Sequence, residues 1–346
     1  CASCARKTNR SQSSKSESHQ AGTTSQQLDP ERGMRIEIMT KSYLEVAPTI
    51  ELLRQVHFRT DRDELLEKQI TRLFSVDPEG RQTHEPVRFT AGTETNGIIM
   101  IDGSGGGKST AIEKVLGAFE PLTNNPETER PRYLKITVES PASQKSLGIA
   151  ILKATGVDDV AERAKVWEIW SAVRVRLHRM GVSLLWIDEA HDMFKSSAGV
   201  ETDNMFKMLK SLMQGDHPVV LLLSGTERLS KIAGLDPQLS RRFAKIKPND
   251  LQMGADNADL EDLVGYLCER ADLKFEAYSD LINRLIYGSR NRFGRAVETT
   301  IHAIEEALLD SSADLKIEHF EMAWGQKEAC DIGQNVFSAD DWMEIE

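Results

Sequence analysis

The chain has 346 residues, of which 40% are hydrophobic and 28% charged, and a net charge of −11 at pH 7. That is enough chain for about two domains. No run approaches the ~18 consecutive apolar residues of a membrane helix and no secretory-leader pattern opens the sequence, so the expectation is a cytoplasmic protein with no membrane partner. The acidic balance argues against a surface given over wholly to nucleic acid, although a basic stripe can line one face of an acidic protein.

Taken in chain order, residues 1–33 are rich in Ser, Gln, Thr and charge and nearly devoid of large apolar side chains. Such a segment buries too little surface to offset its chain entropy, which predicts a disordered tail. The four cysteines, Cys1, Cys4, Cys268 and Cys330, are too few and scattered for a disulfide framework. "CASC" has the spacing of half a zinc site, but no second Cys or His pair stands near it, so two tail thiols are expected. Residues 34–87 carry apolar side chains at helical intervals, among them Leu52, Leu53, Val56, Leu65, Leu66, Ile70 and Leu73. The spacing predicts a helical N-terminal segment packed on the domain C-terminal to it.

Over 88–250 the pattern changes to short apolar runs, "GIIMID", "YLKITVE", "VSLLWIDE" and "PVVLLLSG", that alternate with helical stretches. Buried strands alternating with helices predict an α/β domain, a parallel sheet flanked by helices. Its ligand is expected at the carboxyl ends of the strands. Residues 251–327 read as four helices and no further strand, forming a C-terminal helical lid. Residues 328–346 read as an acidic tail with two exposed aromatics.

The first strand runs into "IDGSGGGKST". Small residues between a strand and a helix let backbone N–H groups converge on an anion at the positive end of the helix dipole. Gly103, Ser104, Gly105, Gly106, Gly107, Lys108, Ser109 and Thr110 therefore form a candidate phosphate cradle. Lys108 is placed to bridge β- and γ-phosphates and Ser109 to ligate Mg²⁺. The usual pattern is G-x-x-x-x-G-K-[ST], and Asp102 stands where it has its first glycine. A carboxylate beside a polyphosphate is repelled unless it points away.

"LLWIDEAHD" delivers an acidic pair from a buried strand: Asp188 suits the Mg²⁺ shell and Glu189 suits a base that polarises water. "VVLLLSGTERL" ends in Ser224 and Thr226, either of which is placed to bring a hydroxyl toward the γ-phosphate or the water. "LDPQLSRRF" holds Arg241 and Arg242, one of which is a candidate to stabilise transition-state charge in a neighbouring subunit. "GSRNRFGRAVE" puts Arg295 at the start of a lid helix, within reach of a bound nucleotide. His191 completes the string "DEAH", also seen in helicases, but the residues after Asp250 are too few and too helical for a second helicase domain; His191 reads as a turn residue.

This order of P-loop, acidic strand, polar strand end, double arginine and helical lid resembles that of AAA+ ATPases, and within them the transposition helpers of the TniB and TnsC type. The stretches that carry the resemblance are "IDGSGGGKST", "RLHRMGVSLLWIDEAHDMF", "MFKMLKSLMQGDHPVVLLLSGTERL" and "LDPQLSRRFAKIKPNDL". It implies ATP hydrolysis with Mg²⁺, self-association into a ring or filament, sequence-independent binding of double-stranded DNA, and recruitment of a DDE-type transposase. Lys145 and Lys153 are the candidate phosphate-backbone contacts. The alternatives are a switch ATPase for a protein partner that never touches DNA, and a nucleotide-dependent scaffold, against which the Asp188–Glu189 pair argues.

Overall fold

The computed structural model describes residues 41–345 except 90, 140, 141, 195–198 and 279. The predicted tail of 1–33, with Cys1 and Cys4, lies outside the described residues. Among the described residues, helices α1 (Tyr43–Arg54) and α2 (Asp61–Leu73) come first and lead into a small antiparallel hairpin, β1 (Phe74–Val76) and β2 (Gln82–Pro86). Then come β3 (Gly97–Ile101), α3 (Lys108–Ala118), α4 (Glu120–Thr123), β4 (Tyr133–Thr137), α5 (Gln144–Ala154), α6 (Val166–Arg179), β5 (Leu184–Asp188), α7 (Val200–Leu212), β6 (Val220–Gly225), α8 (Glu227–Ala233), α9 (Pro237–Ser240) and β7 (Phe243–Ile246). The remaining helices are α10 (Asn257–Arg270), α11 (Leu281–Gly288), α12 (Phe293–Leu309) and α13 (Ile317–Glu328); two-residue strands β8 (Lys274–Phe275) and β9 (Asp314–Leu315) pair between them.

The central sheet has the order β4-β5-β6-β3-β7 with every neighbour parallel. Successive side chains of a strand point to opposite faces, and both faces are apolar here. Ile99, Ile101, Leu185, Ile187, Leu221 and Leu223 point to the side covered by α5, α6, α7 and α8. Ile98, Met100, Leu184, Trp186, Val220 and Leu222 point to the side covered by α2 and α3. An uninterrupted apolar strand is the sequence signature of a sheet covered twice.

A separate apolar core holds the helices after residue 250 together. Leu260, Val264 and Leu267 of α10, Leu285 of α11, Ile304 of α12 and Phe320 of α13 share it with Val46, Ile50 and Leu53 of α1. The N-terminal segment is thus divided between two cores: α1 belongs to the lid, whereas Leu66, Ile70 and Leu73 of α2 belong to the sheet.

Four sequence expectations need correction. Residues 251–327 are not free of strand, because β8 and β9 pair there as a two-residue parallel ladder too short to show as an apolar run. The N-terminal segment is not wholly helical, because β1 and β2 come after α2. Strand β7 was not expected; it has four residues, only two of them buried, too short to display an apolar run. The aromatics Phe337 and Trp342 are not exposed: they are 3% and 6% accessible and join the lid core. Arg284 donates to the carbonyls of Val336 and Ala339 at 2.7 and 2.8 Å, and Tyr287 donates to that of Ile345 at 2.6 Å, which fixes this last segment along α11. Trp342→Ala is expected to lower stability by about 3 kcal/mol, the order found when a large buried aromatic is truncated, measured by urea denaturation of the full chain.

Candidate functional site

The site forms where β3, β5 and β6 end. β6 lies between β3 and β5, with Ile101 opposite Gly225, so loops leaving the three strands meet at one edge. The loop from β3 closes on α3 through Gly107, whose φ of 84° lies in the left-handed region that favours glycine. The first N–H groups of α3 have no acceptor within the helix and face the loop, together with the positive end of its dipole. Lys108 is 6% exposed and its Nζ donates to the carbonyls of Asp102 and Gly103 at 3.2 and 3.0 Å, which folds the ammonium back across the loop. Thr110 is exposed on the first turn of α3.

Asp188, at the end of β5, is 5% exposed and is held from two sides. Ser109 donates to its Oδ2 at 2.9 Å and Ser224 to its Oδ1 at 2.6 Å, while the indole of Trp186 donates to the Ser224 hydroxyl at 2.7 Å. Between Ser224 and Thr226 the geometry therefore discriminates: Ser224 is fully buried against Asp188, and Thr226 precedes α8 with no side-chain bond that caps it. Glu189 comes next at φ 52°, and its half-exposed carboxylate lies 3.2 Å from Nδ1 of His191. His191 sits in one turn of 3₁₀ helix, Ala190–Met193, with its ring packed on Gly225.

The lid meets the loop directly. A Cβ on Gly294 would come within 2.3 Å of the Gly105 carbonyl, so α12 approaches the loop backbone more closely than any side chain permits. Arg295 lies over Gly105 and is paired with Glu328 at 2.7 Å. Beside the loop, a cavity of about 800 Å³ opens between the α1–α2 link, the segment after β7 and α10. Phe58, Leu65, Tyr266 and Phe293 give it apolar walls, and Arg62 and Asp250 give it charge. The first turn of α2, which carries Arg62, is fixed by Asp63. Burial pushes that carboxyl up, but the Thr60 hydroxyl and N–H and the nearby His57 outweigh burial and hold it below the usual range.

These residues suit a nucleoside triphosphate and a hard divalent cation: the loop offers N–H donors and an ammonium, and Ser109 with Asp188 offers oxygen ligands. The family model described as Bacterial TniB protein matches residues 90–252, which span the loop and the acidic strand. Among solved structures, the chain is similar to the ORC2 protein of Aeropyrum pernix in ADPNP–ADP complexes, at 16% identity over 81% of this chain and 72% of that one, TM-score 0.53. It is also similar to Cdc6p of Pyrobaculum aerophilum, at 13% identity over 79% and 68% respectively, TM-score 0.54. A third is the ORC1 protein of Aeropyrum pernix in complex with DNA, at 17% identity over 69% and 61%, TM-score 0.50. The chain has an AAA+ fold, and its residues 90–252 are similar to TniB. No curated protein matches it, and at such identities the solved structures speak for the fold alone.

In this AAA+ fold the two adjacent arginines part company. Arg242 is 5% exposed and paired with Glu94, itself buried, at the start of β3 and β7. Arg241 touches the same carboxylate at 3.2 Å but leaves 59% of its side chain in solvent. Both stand at the opposite end of β3 from the P-loop of their own chain. Lys145 donates to the Glu162 carbonyl and Lys153 is exposed.

Three charged groups escaped the sequence reading. Lys135 of β4 lies over the Trp186 ring at 4.3 Å and 3.9 Å from Asp188. Arg62 and Arg292 flank the loop, Arg62 donating to the Gly106 carbonyl at 2.6 Å. Arg292 shares the stretch "GSRNRFGR" with Arg295, and no spacing separates their roles. The thiol of Cys268 is pushed up to about 12 by burial in the lid core, which removes it from any nucleophilic role at neutral pH. No helix among the described residues is long and apolar enough to cross a membrane.

Arg242→Ala is expected to destabilise the chain by about 3–5 kcal/mol, because it leaves the Glu94 carboxylate buried beside an emptied site. Arg241→Ala, at an exposed position, is expected to cost less than about 1 kcal/mol. Paired urea melts check the difference.

Proposed function

We propose that the chain is an ATP-dependent, DNA-binding AAA+ ATPase that self-associates on double-stranded DNA and recruits or activates a DDE-type transposase. The observation that carries the ATPase half is the Asp188 carboxylate bonded to both Ser109 of the P-loop and Ser224 of the strand between. The TniB match over 90–252 supports the transposition half.

In this reading the nucleotide's phosphates lie along Gly103–Thr110, with Lys108 on the β- and γ-phosphates and the base and ribose in the cavity beside Phe58 and Tyr266. Ser109 and Asp188 hold Mg²⁺, which when bound draws charge from the phosphate oxygens. Ser224 orients Asp188 through its hydrogen bond, Glu189 accepts a proton from the attacking water, and Arg295 reaches the nucleotide from the lid. Arg241, exposed and remote from its own loop, is the arginine offered to a neighbour's site; Arg242 holds it in place through their shared Glu94. DNA is held through its phosphates without regard to sequence, with Lys145 and Lys153 among the contacts.

The net charge of −11 favours a second reading, a switch ATPase whose client is a protein. Anisotropy with random-sequence duplex DNA, with ATP, ADP and no nucleotide at two salt concentrations, separates the two. ATP-dependent binding that weakens with salt is expected from the first; absence of binding in all conditions leaves the second. Lys108→Ala is expected to abolish nucleotide binding. Glu189→Gln is expected to keep it while turnover falls about 100-fold or more, checked by calorimetry and phosphate release.

A further inference from the structure

Asp102 occupies the position of the usual pattern's first glycine, and its carboxylate, 4% exposed, does not point away from the loop. It is folded into it: a Cβ on Gly106 would lie 2.0 Å from Oδ2, and Oδ1 accepts the Gly103 N–H at 2.7 Å. Two guanidinium groups hold it there. Arg292, the residue before α12, reaches Oδ1 at 3.2 Å, and Arg62 of α2 lies 3.5 Å from Oδ2.

The two arginines differ in their surroundings. Arg292 is 22% exposed and has a second anion, Asp250, at 2.6 Å. Arg62 is 6% exposed, and its Nε has no hydrogen-bond partner. Burial pushes its pKa down, opposed by Asp63 and Asp102. A guanidinium this deep requires an anion, and a single carboxylate leaves part of its donor fork unused. A polyphosphate offers more charge and more acceptors in the geometry a guanidinium prefers.

We propose that Arg62 and Arg292 are phosphate-binding residues of the nucleotide site, and that Asp102 is the internal anion that neutralises them until nucleotide displaces it. The proposal rests on the reading of the loop as a nucleotide site. It accounts for a carboxylate in a place where polyphosphate would repel it. Nucleotide competes with Asp102 for both cations, so Asp102 weakens binding and sets its strength. Because Arg292 introduces α12 and Arg62 belongs to α2, the exchange also moves a contact of the lid and one of the N-terminal segment from the loop to the ligand.

The experiment titrates Mg²⁺-ATP into the full chain by calorimetry and follows thermal unfolding with and without it. Asp102→Asn, nearly isosteric, is expected to lower the unfolding midpoint of the ligand-free protein and to tighten ATP about tenfold, the order of one charge-assisted contact. Arg292→Gln, which leaves the Arg62–Asp102 pair intact, is expected to weaken ATP about tenfold and to remove most of the gain when combined with Asp102→Asn. An Asp102 that only braces the loop would lower the midpoint in Asp102→Asn and leave affinity unchanged or reduced, and that result overturns the proposal. Should Asp102→Asn fail to fold, unchanged affinity in Arg292→Gln overturns it alone. If the parent binds ATP, Lys108→Ala does not, and Asp102→Asn binds like the parent, the proposal falls and the nucleotide reading stands. If the parent shows no saturable ATP binding, both fall.

Discussion

A carboxylate taken out of water must be saturated with donors or surrender its charge. Asp188, at the end of β5, meets that requirement with a hydroxyl from the P-loop helix and another from β6, and the second is itself fixed by the Trp186 indole. One buried anion thus ties three elements that are distant in sequence. Their relative positions along the sheet edge are set by its valence rather than by loop conformation. The strand order makes this possible, since only a strand inserted between β3 and β5 can present a hydroxyl to the side of Asp188 that Ser109 leaves open.

A second buried carboxylate, held this time by paired charge, stands at the opposite edge of the sheet. Glu94 is buried and takes Arg242, with Arg241 on its outer side. At one edge of the sheet, then, Asp188 ties strand ends together, and at the opposite edge Glu94 fixes an arginine that faces outward. In the proposed function that outward arginine is the one offered to a neighbour's site.

Much of this was legible in the sequence because it depends on local pattern. Four strands announce themselves as apolar runs, and the glycine-rich turn and Asp188–Glu189 have few other uses at that spacing. The choice between Ser224 and Thr226 was not legible: both are hydroxyls two residues apart, and only the register of β6 against β5 decides which one faces Asp188. Arg241 and Arg242 are likewise equivalent on paper, and burial of Glu94 separates them. β7 escaped because a four-residue edge strand with two buried side chains has no periodicity to display. Arg62 and Arg292 escaped for a different reason: their significance lies in converging on Asp102 from α2 and the lid, and convergence across long sequence separations leaves no mark in a linear pattern. The last residues misled by composition, since acidic neighbours surround Phe337 and Trp342, which nonetheless complete a core.

The division of the N-terminal segment between two cores bears on how the chain folds as it is made. α2 can settle on the sheet face as soon as β3 and α3 have formed, but α1, which precedes it, packs against α12, which does not begin until Phe293, and shares its core with Val336, Phe337 and Trp342. Although it is made before the sheet domain, α1 is therefore among the last elements to find its partners. Until then its apolar face stays open beside a finished sheet domain, and closing it requires contacts of very long sequence separation, the slow kind in folding.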